Sequence, residues 1–168
     1  METVSVIGLP LAATTYAGAV DWILEKALDA SNVHAVEAAN THVAALRRSD
    51  RAFRETMDRF DLIVPDGMPL VWGINSQLPD GKKLTDRVYG PTLMLETLKA
   101  TQGRAEFRHF LLGGRESTLR KLEDSFSGRF PGSVIAGSYS PPFGEWPEGT
   151  FESICAKIRD SGANLIWV

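Results

Sequence analysis

Several side chains have the type and spacing to do chemistry. Asp66 follows the apolar run Asp61–Val64 and precedes Gly67. A carboxylate just past a strand can face a cleft and take a proton from an attacking hydroxyl. The glycine beside it lets backbone or ligand approach closely. The same three residues, Pro65-Asp66-Gly67, also read as a turn whose aspartate bonds its own backbone. Asn40, Thr41 and His42 follow another short run. They can bind a sugar or a carbonyl, or they can cap a helix. Arg87 stands just before Gly90 and Pro91, where a helix is expected. An arginine beside a helix N-terminus can grip a diphosphate through paired hydrogen bonds, or it can pair with Asp86 on the surface. Gly113-Gly114 lies between an apolar run and a helical stretch. That is either a phosphate cradle with free amides from Arg115 to Ser117 or a tight strand-to-helix turn. The full dinucleotide fingerprint is absent.

Other groups say less. Arg47, Arg48, Arg51 and Arg54 share helix-compatible spacing, which suits lipid head groups or an acceptor diphosphate. Asp50 and Glu55 interleave with them, as on a solvated charged face. Tyr139 and Phe143 sit in a stretch rich in proline and glycine, free to stack on a base or to pack the loop down.

These residues need elements to hold them. Short apolar runs alternate with longer stretches of helical period. Strands are expected at Val4–Ile7, Val33–Ala38, Asp61–Val64, Phe107–Leu112, Val134–Ala136 and Leu165–Val168. Thr14 or Thr15 opens a helix through Ala30, and Asn40-Thr41 opens another. Further helices are expected at Asp50–Phe60, Met68–Ile74, Pro91–Thr101, Glu116–Phe126 and Phe151–Arg159. Leu78–Lys83 and Ser138–Gly149 read as loops. Strands separated by helices require crossovers, hence an α/β fold with a mostly parallel sheet and helices on both faces. Ligands in such sheets bind beyond the carboxyl ends of the strands. Asn40, Asp66 and Gly113 are therefore expected near one edge.

Composition narrows the classes. At 168 residues with 43% apolar side chains, the chain can bury a core without staples and is read as one domain, 1–168. A net charge of −3 gives no footprint for nucleic acid. The lone Cys155 cannot build a disulfide framework or a zinc ribbon, so a reducing compartment is the default. No run reaches the roughly 18 apolar residues that span a bilayer, and no signal peptide is visible. The expectation is a cytoplasmic protein whose membrane contact, if any, is peripheral.

In order along the chain, the motifs resemble the WecG/TagA/CpsF family of bacterial glycosyltransferases. The resemblance is carried by Val6-Ile7-Gly8-Leu9-Pro10, Ala39-Asn40-Thr41-His42, Val64-Pro65-Asp66-Gly67-Met68, Asp86-Arg87-Val88-Tyr89-Gly90, Phe110-Leu111-Leu112-Gly113-Gly114 and Phe130-Pro131-Gly132. It implies a Rossmann-like domain that works without a bound metal or other cofactor. The implied donor is a UDP-sugar of N-acetylmannosamine, uronic acid or glucose type. The implied acceptor is a sugar on a polyprenyl diphosphate, in teichoic acid, enterobacterial antigen or exopolysaccharide synthesis. Asp66 matches the family's proposed general base. Asn40 and Arg87 match residues of the donor pocket, to which Thr41, Gly113 and Gly114 are added here.

Ala38 stands where some relatives carry a threonine. The family also continues past the last strand with a glycine-rich turn, a polar segment and a membrane-associating tail. The chain is therefore expected to be truncated, to reach the inner face of the plasma membrane through that missing part, and to be capable of homo-oligomerising. The main rival is a non-catalytic nucleotide-binding module in which Asp66 is structural. A hydrolase using Asp66 is a further rival, but no partner carboxylate is evident at a neighbouring strand end.

Overall fold

The computed structural model describes residues 1–168 and divides into two compact units, 1–96 and 97–168. Each contains a parallel ladder with helices, as the alternation predicts, and the first adds an antiparallel hairpin.

The first unit opens with a hairpin. Strands β1 (Thr3–Val6) and β2 (Leu9–Ala12) pair antiparallel across the two-residue turn Ile7-Gly8. Both turn residues have positive φ, 47° and 85°, which matches the twist of a tight hairpin. Strand β2 was not expected, because Pro10 argues against a strand. Helix α1 (Tyr16–Ala27) is capped by Thr15, whose hydroxyl accepts the Gly18 amide. It ends earlier than its period suggests. The chain beyond it is gathered by the Asp29 carboxylate, which accepts from Ser31 and Asn32 and meets His34. Strand β3 (Val36–Ala39) therefore starts later than expected.

Strand β3 runs parallel to β4 (Leu62–Pro65), with Ala39 opposite Pro65. All four residues of β4 are buried, the mark of a strand covered on both faces. Helices α2 (Thr41–Ser49) and α3 (Arg51–Met57) form the crossover between them. The core on one side of this pair gathers Leu9, Leu11, Ala44, Met57, Ile63 and Leu70. Helix α4 (Met68–Asn75) lies close on β1: a Cβ at Gly73 would sit 2.6 Å from Val6 Cγ1. Helix α5 (Gly90–Ala100) carries the chain across the boundary between the units.

The second unit is a parallel ladder in the order β6-β5-β7, formed by Val134–Tyr139, Arg108–Leu112 and Leu165–Trp167. Helices α6 (Glu116–Arg129) and α7 (Thr150–Ser161) make the crossovers. Strand β6 extends three residues past its expected end, through Gly137, Ser138 and Tyr139. Glycine fits there because a Cβ at 137 would come within 3.0 Å of the Phe110 ring. The fold is mixed α/β with parallel ladders in each unit, in keeping with a Rossmann-like architecture.

Candidate active site

Strands β3 and β4 end side by side. The Asp66 amide donates to the Ala39 carbonyl at 2.8 Å, which sets Asp66 next to Asn40. A third segment joins them, because the Val88 amide donates to the Pro65 carbonyl at 2.8 Å. Asn40, Asp66 and Asp86–Gly90 thus meet at the carboxyl ends of one parallel pair, where ligand sites of such sheets form.

Asp66 is half-buried, and its Oδ1 is fully enclosed with no hydrogen-bond partner in the protein. A buried acceptor left unpaired within the protein is rare and costly. Burial raises the Asp66 pKa above the ordinary aspartate value. The Gly90 amide and the Arg87 guanidinium pull it back down. The Gly90 amide belongs to the first turn of α5, where the helix dipole also favours an anion. The fit at residue 90 is close: an added Cβ would lie 3.2 Å from the Ala38 Cβ and 4.0 Å from Asp66 Oδ2.

Asn40 does cap a helix. Its Oδ1 accepts the amides of His42 and Val43 at 2.9 and 3.1 Å. That leaves its exposed Nδ2 with no protein acceptor, so cap and ligand contact are compatible. Thr41 and His42 are exposed on the first turn of α2.

Arg87 does not pair with Asp86. The Asp86 carboxylate accepts the Arg87 backbone amide at 2.7 Å instead. The guanidinium lies over the Tyr89 ring, 4.8 Å from its centroid. The Tyr89 amide in turn donates to the Tyr16 hydroxyl at 3.0 Å.

Two residues of this unit escaped the sequence reading. Tyr16 comes from 73 positions away, a distance no local pattern spans. Glu37 lies on β3, the strand paired with β4. Burial first, and then the Asp66 charge, raise its pKa. A second carboxylate therefore does stand within electrostatic reach of Asp66.

In the second unit, Gly113 and Gly114 have φ of 112° and 70°, conformations that glycine alone adopts easily. The Gly113 amide donates to the Tyr139 carbonyl, and the Ser140 hydroxyl donates to the Gly114 carbonyl. Helix α6 starts at Glu116 with no side-chain cap. Its first free amides therefore suit an anion. Tyr139, at the end of β6, has the Lys157 ammonium 5.3 Å from its ring centroid. Phe143 is fully exposed. The arginine cluster of α2 and α3 is largely spent within the protein. Arg47 bonds the Gly8 carbonyl and Asp58, Arg51 pairs with Glu55, and Arg54 donates to the carbonyls of Arg47 and Arg48.

Parallel ladders, with a half-buried carboxylate and an arginine at the carboxyl end of one of them, give an α/β fold with a candidate site at that strand end. Comparison with protein families specifies it further. Residues 4–168 match the Glycosyl transferase WecG/TagA/CpsF family, and the chain belongs to that family. It is a glycosyltransferase of cell-surface polysaccharide synthesis. Comparison with curated individual proteins gave no match. No helix is long and apolar enough to cross a membrane.

Proposed function

We propose that the chain moves a sugar from a UDP-sugar to a sugar on a polyprenyl diphosphate by one inverting displacement. The donor is of N-acetylmannosamine, uronic acid or glucose type. Asp66 takes the proton of the acceptor hydroxyl. That oxygen bonds to the anomeric carbon as the bond from this carbon to the diphosphate breaks, and UDP leaves with the electron pair.

The observation that carries this reading is the buried, unpartnered Oδ1 of Asp66 at the strand end, with Arg87 close enough to act on its charge. A base needs a free lone pair and a pKa above that of a solvated aspartate, and Asp66 has both. The growing charge on the leaving group is met by the Arg87 fork rather than by a divalent cation or other cofactor. Asn40 offers Nδ2, and Thr41 its hydroxyl, to the donor. The Gly113-Gly114 turn and the α6 amides have the chemistry to bind an anion within their own unit. Work on a lipid-linked acceptor places the enzyme peripherally at the inner face of the plasma membrane.

The test is a donor screen against a short-chain diphosphate-lipid acceptor, with transfer read by mass spectrometry. Transfer from a UDP-sugar with inverted anomeric configuration supports the reading. Binding of UDP-sugars without transfer points instead to a nucleotide-binding module. Retained configuration contradicts the single displacement.

A further inference from the structure

Three successive backbone amides at the start of α5 each have a different partner. Val88 donates to the Pro65 carbonyl, Tyr89 to the Tyr16 hydroxyl, and Gly90 to the Asp66 side chain. The outer two tie the segment to the end of β4. The middle one ties it to a side chain of a different element, 73 residues earlier in the chain.

That element is firmly seated. Tyr16 is the first residue of α1, directly after its cap Thr15. Thr14 is buried, and a Cβ at Gly18 would lie only 2.6 Å from its hydroxyl oxygen. Ala19, Val20, Ile23 and Leu24 bury the inner face of the helix. The Asp86–Gly90 segment, by contrast, has only Val88 fully buried. It therefore depends on its hydrogen bonds for its place. Tyr89 also carries the ring on which the Arg87 guanidinium rests.

We propose that Tyr16 is a positioning residue of the active site: by accepting the Tyr89 amide, its hydroxyl holds the Asp86–Gly90 segment so that the Gly90 amide and Arg87 face the Asp66 carboxylate. The proposal rests on the reading of Asp66 as the base, but its geometry can be tested without turnover. A tyrosine that merely capped α5 would affect melting and leave Asp66 alone. A positioning tyrosine sets the balance between burial, which raises the Asp66 pKa, and the Gly90 amide and Arg87, which lower it. Glu37 is the other charged group within reach, and it sits on β3, which the Tyr16 bond does not touch.

The experiment follows the side-chain carboxyl carbon of Asp66 by NMR across pH in the full chain, with Asp66→Asn giving the assignment. Tyr16→Phe removes one oxygen and keeps the ring. Its Asp66 midpoint is expected to rise by about half a pH unit or more as the two lowering influences loosen. Tyr16→Leu should move it at least as far, so either variant that folds decides the matter. The acid limb of turnover should move in the same direction. A parental Asp66 midpoint in a folded Tyr16 variant overturns the proposal. Undiminished turnover in Asp66→Asn would overturn the base assignment instead, so the two failures are distinct.

Discussion

Asp66 costs the fold stability wherever it is charged. Its pKa is raised mainly by burial, so the folded protein holds the neutral carboxyl more easily than the unfolded chain does. Between the unfolded value near 3.8 and the higher folded value, the folded state binds more protons. Stability therefore falls as pH rises through that window and stays lower above it. Asp66→Asn should melt at a higher temperature than the parent at pH 7, and the two should converge below the unfolded value. Calorimetry at pH 3 and pH 7 checks this. Arg87 makes a separate prediction. Its guanidinium lies on Tyr89 and bonds no carboxylate. Arg87→Ala should weaken UDP binding by about ten-fold or more, on the order of the 1.5–3 kcal/mol of a charge-assisted hydrogen bond. Arg87→Lys should recover only part of that, because lysine keeps the charge and loses the planar fork. Isothermal titration with UDP reads both; parental affinity in both variants would remove Arg87 from the diphosphate.

Two elements carry their own tests. In β5, His109 is fully buried, and burial pushes its pKa down to about 4 from an ordinary 6.5. Its Nδ1 accepts from Trp167 Nε1 at 3.0 Å, so Nε2 carries the proton and donates to Thr101 Oγ1 at 2.8 Å. Thr101 in turn donates to the Leu98 carbonyl. Between pH 6.5 and 4 the unfolded chain binds a proton that the folded chain refuses. Stability should thus fall on acidification through that window, by about 3 kcal/mol in total from this one group. His109→Gln should flatten the dependence, as measured by urea unfolding at several pH values. In α4, Gly73→Ala places a Cβ 2.6 Å from the stiff Val6 side chain. That overpacking should cost about 1–3 kcal/mol, and adding Val6→Ala should relieve part of it.

The same elements show what a sequence can and cannot give away. Most strands and helices were legible because period and punctuation agree: Asn40 caps where its local sequence says it should, and Pro65-Asp66-Gly67 closes a strand. Strand β2 was not, because Pro10 and an isoleucine with positive φ break local rules that the hairpin overrides. The end of β6 was missed for a related reason: Gly137 signals a loop locally, yet it is needed to clear Phe110. Within the site, Asn40, Asp66 and Arg87 were visible at strand ends and helix starts. Tyr16 and Glu37 were not, since their relation to Asp66 exists only once the chain has folded.

At the scale of the whole molecule, the family match covers residues 4–168 and takes in both compact units. Membership fixes the kind of reaction, and in the first unit the proposed means are a buried, unpartnered carboxylate oxygen on Asp66 and the Arg87 guanidinium. The central claim is that Asp66 is the base of that reaction. The most direct measurement compares parent and Asp66→Asn for transfer rate across pH, with UDP affinity measured alongside. The parental rate is expected to rise with pH through a midpoint above 3.8. The variant is expected to lose roughly 10²–10⁴-fold in rate and to retain its UDP affinity. An Asp66→Asn enzyme with near-parental rate and the same acid limb would contradict that claim.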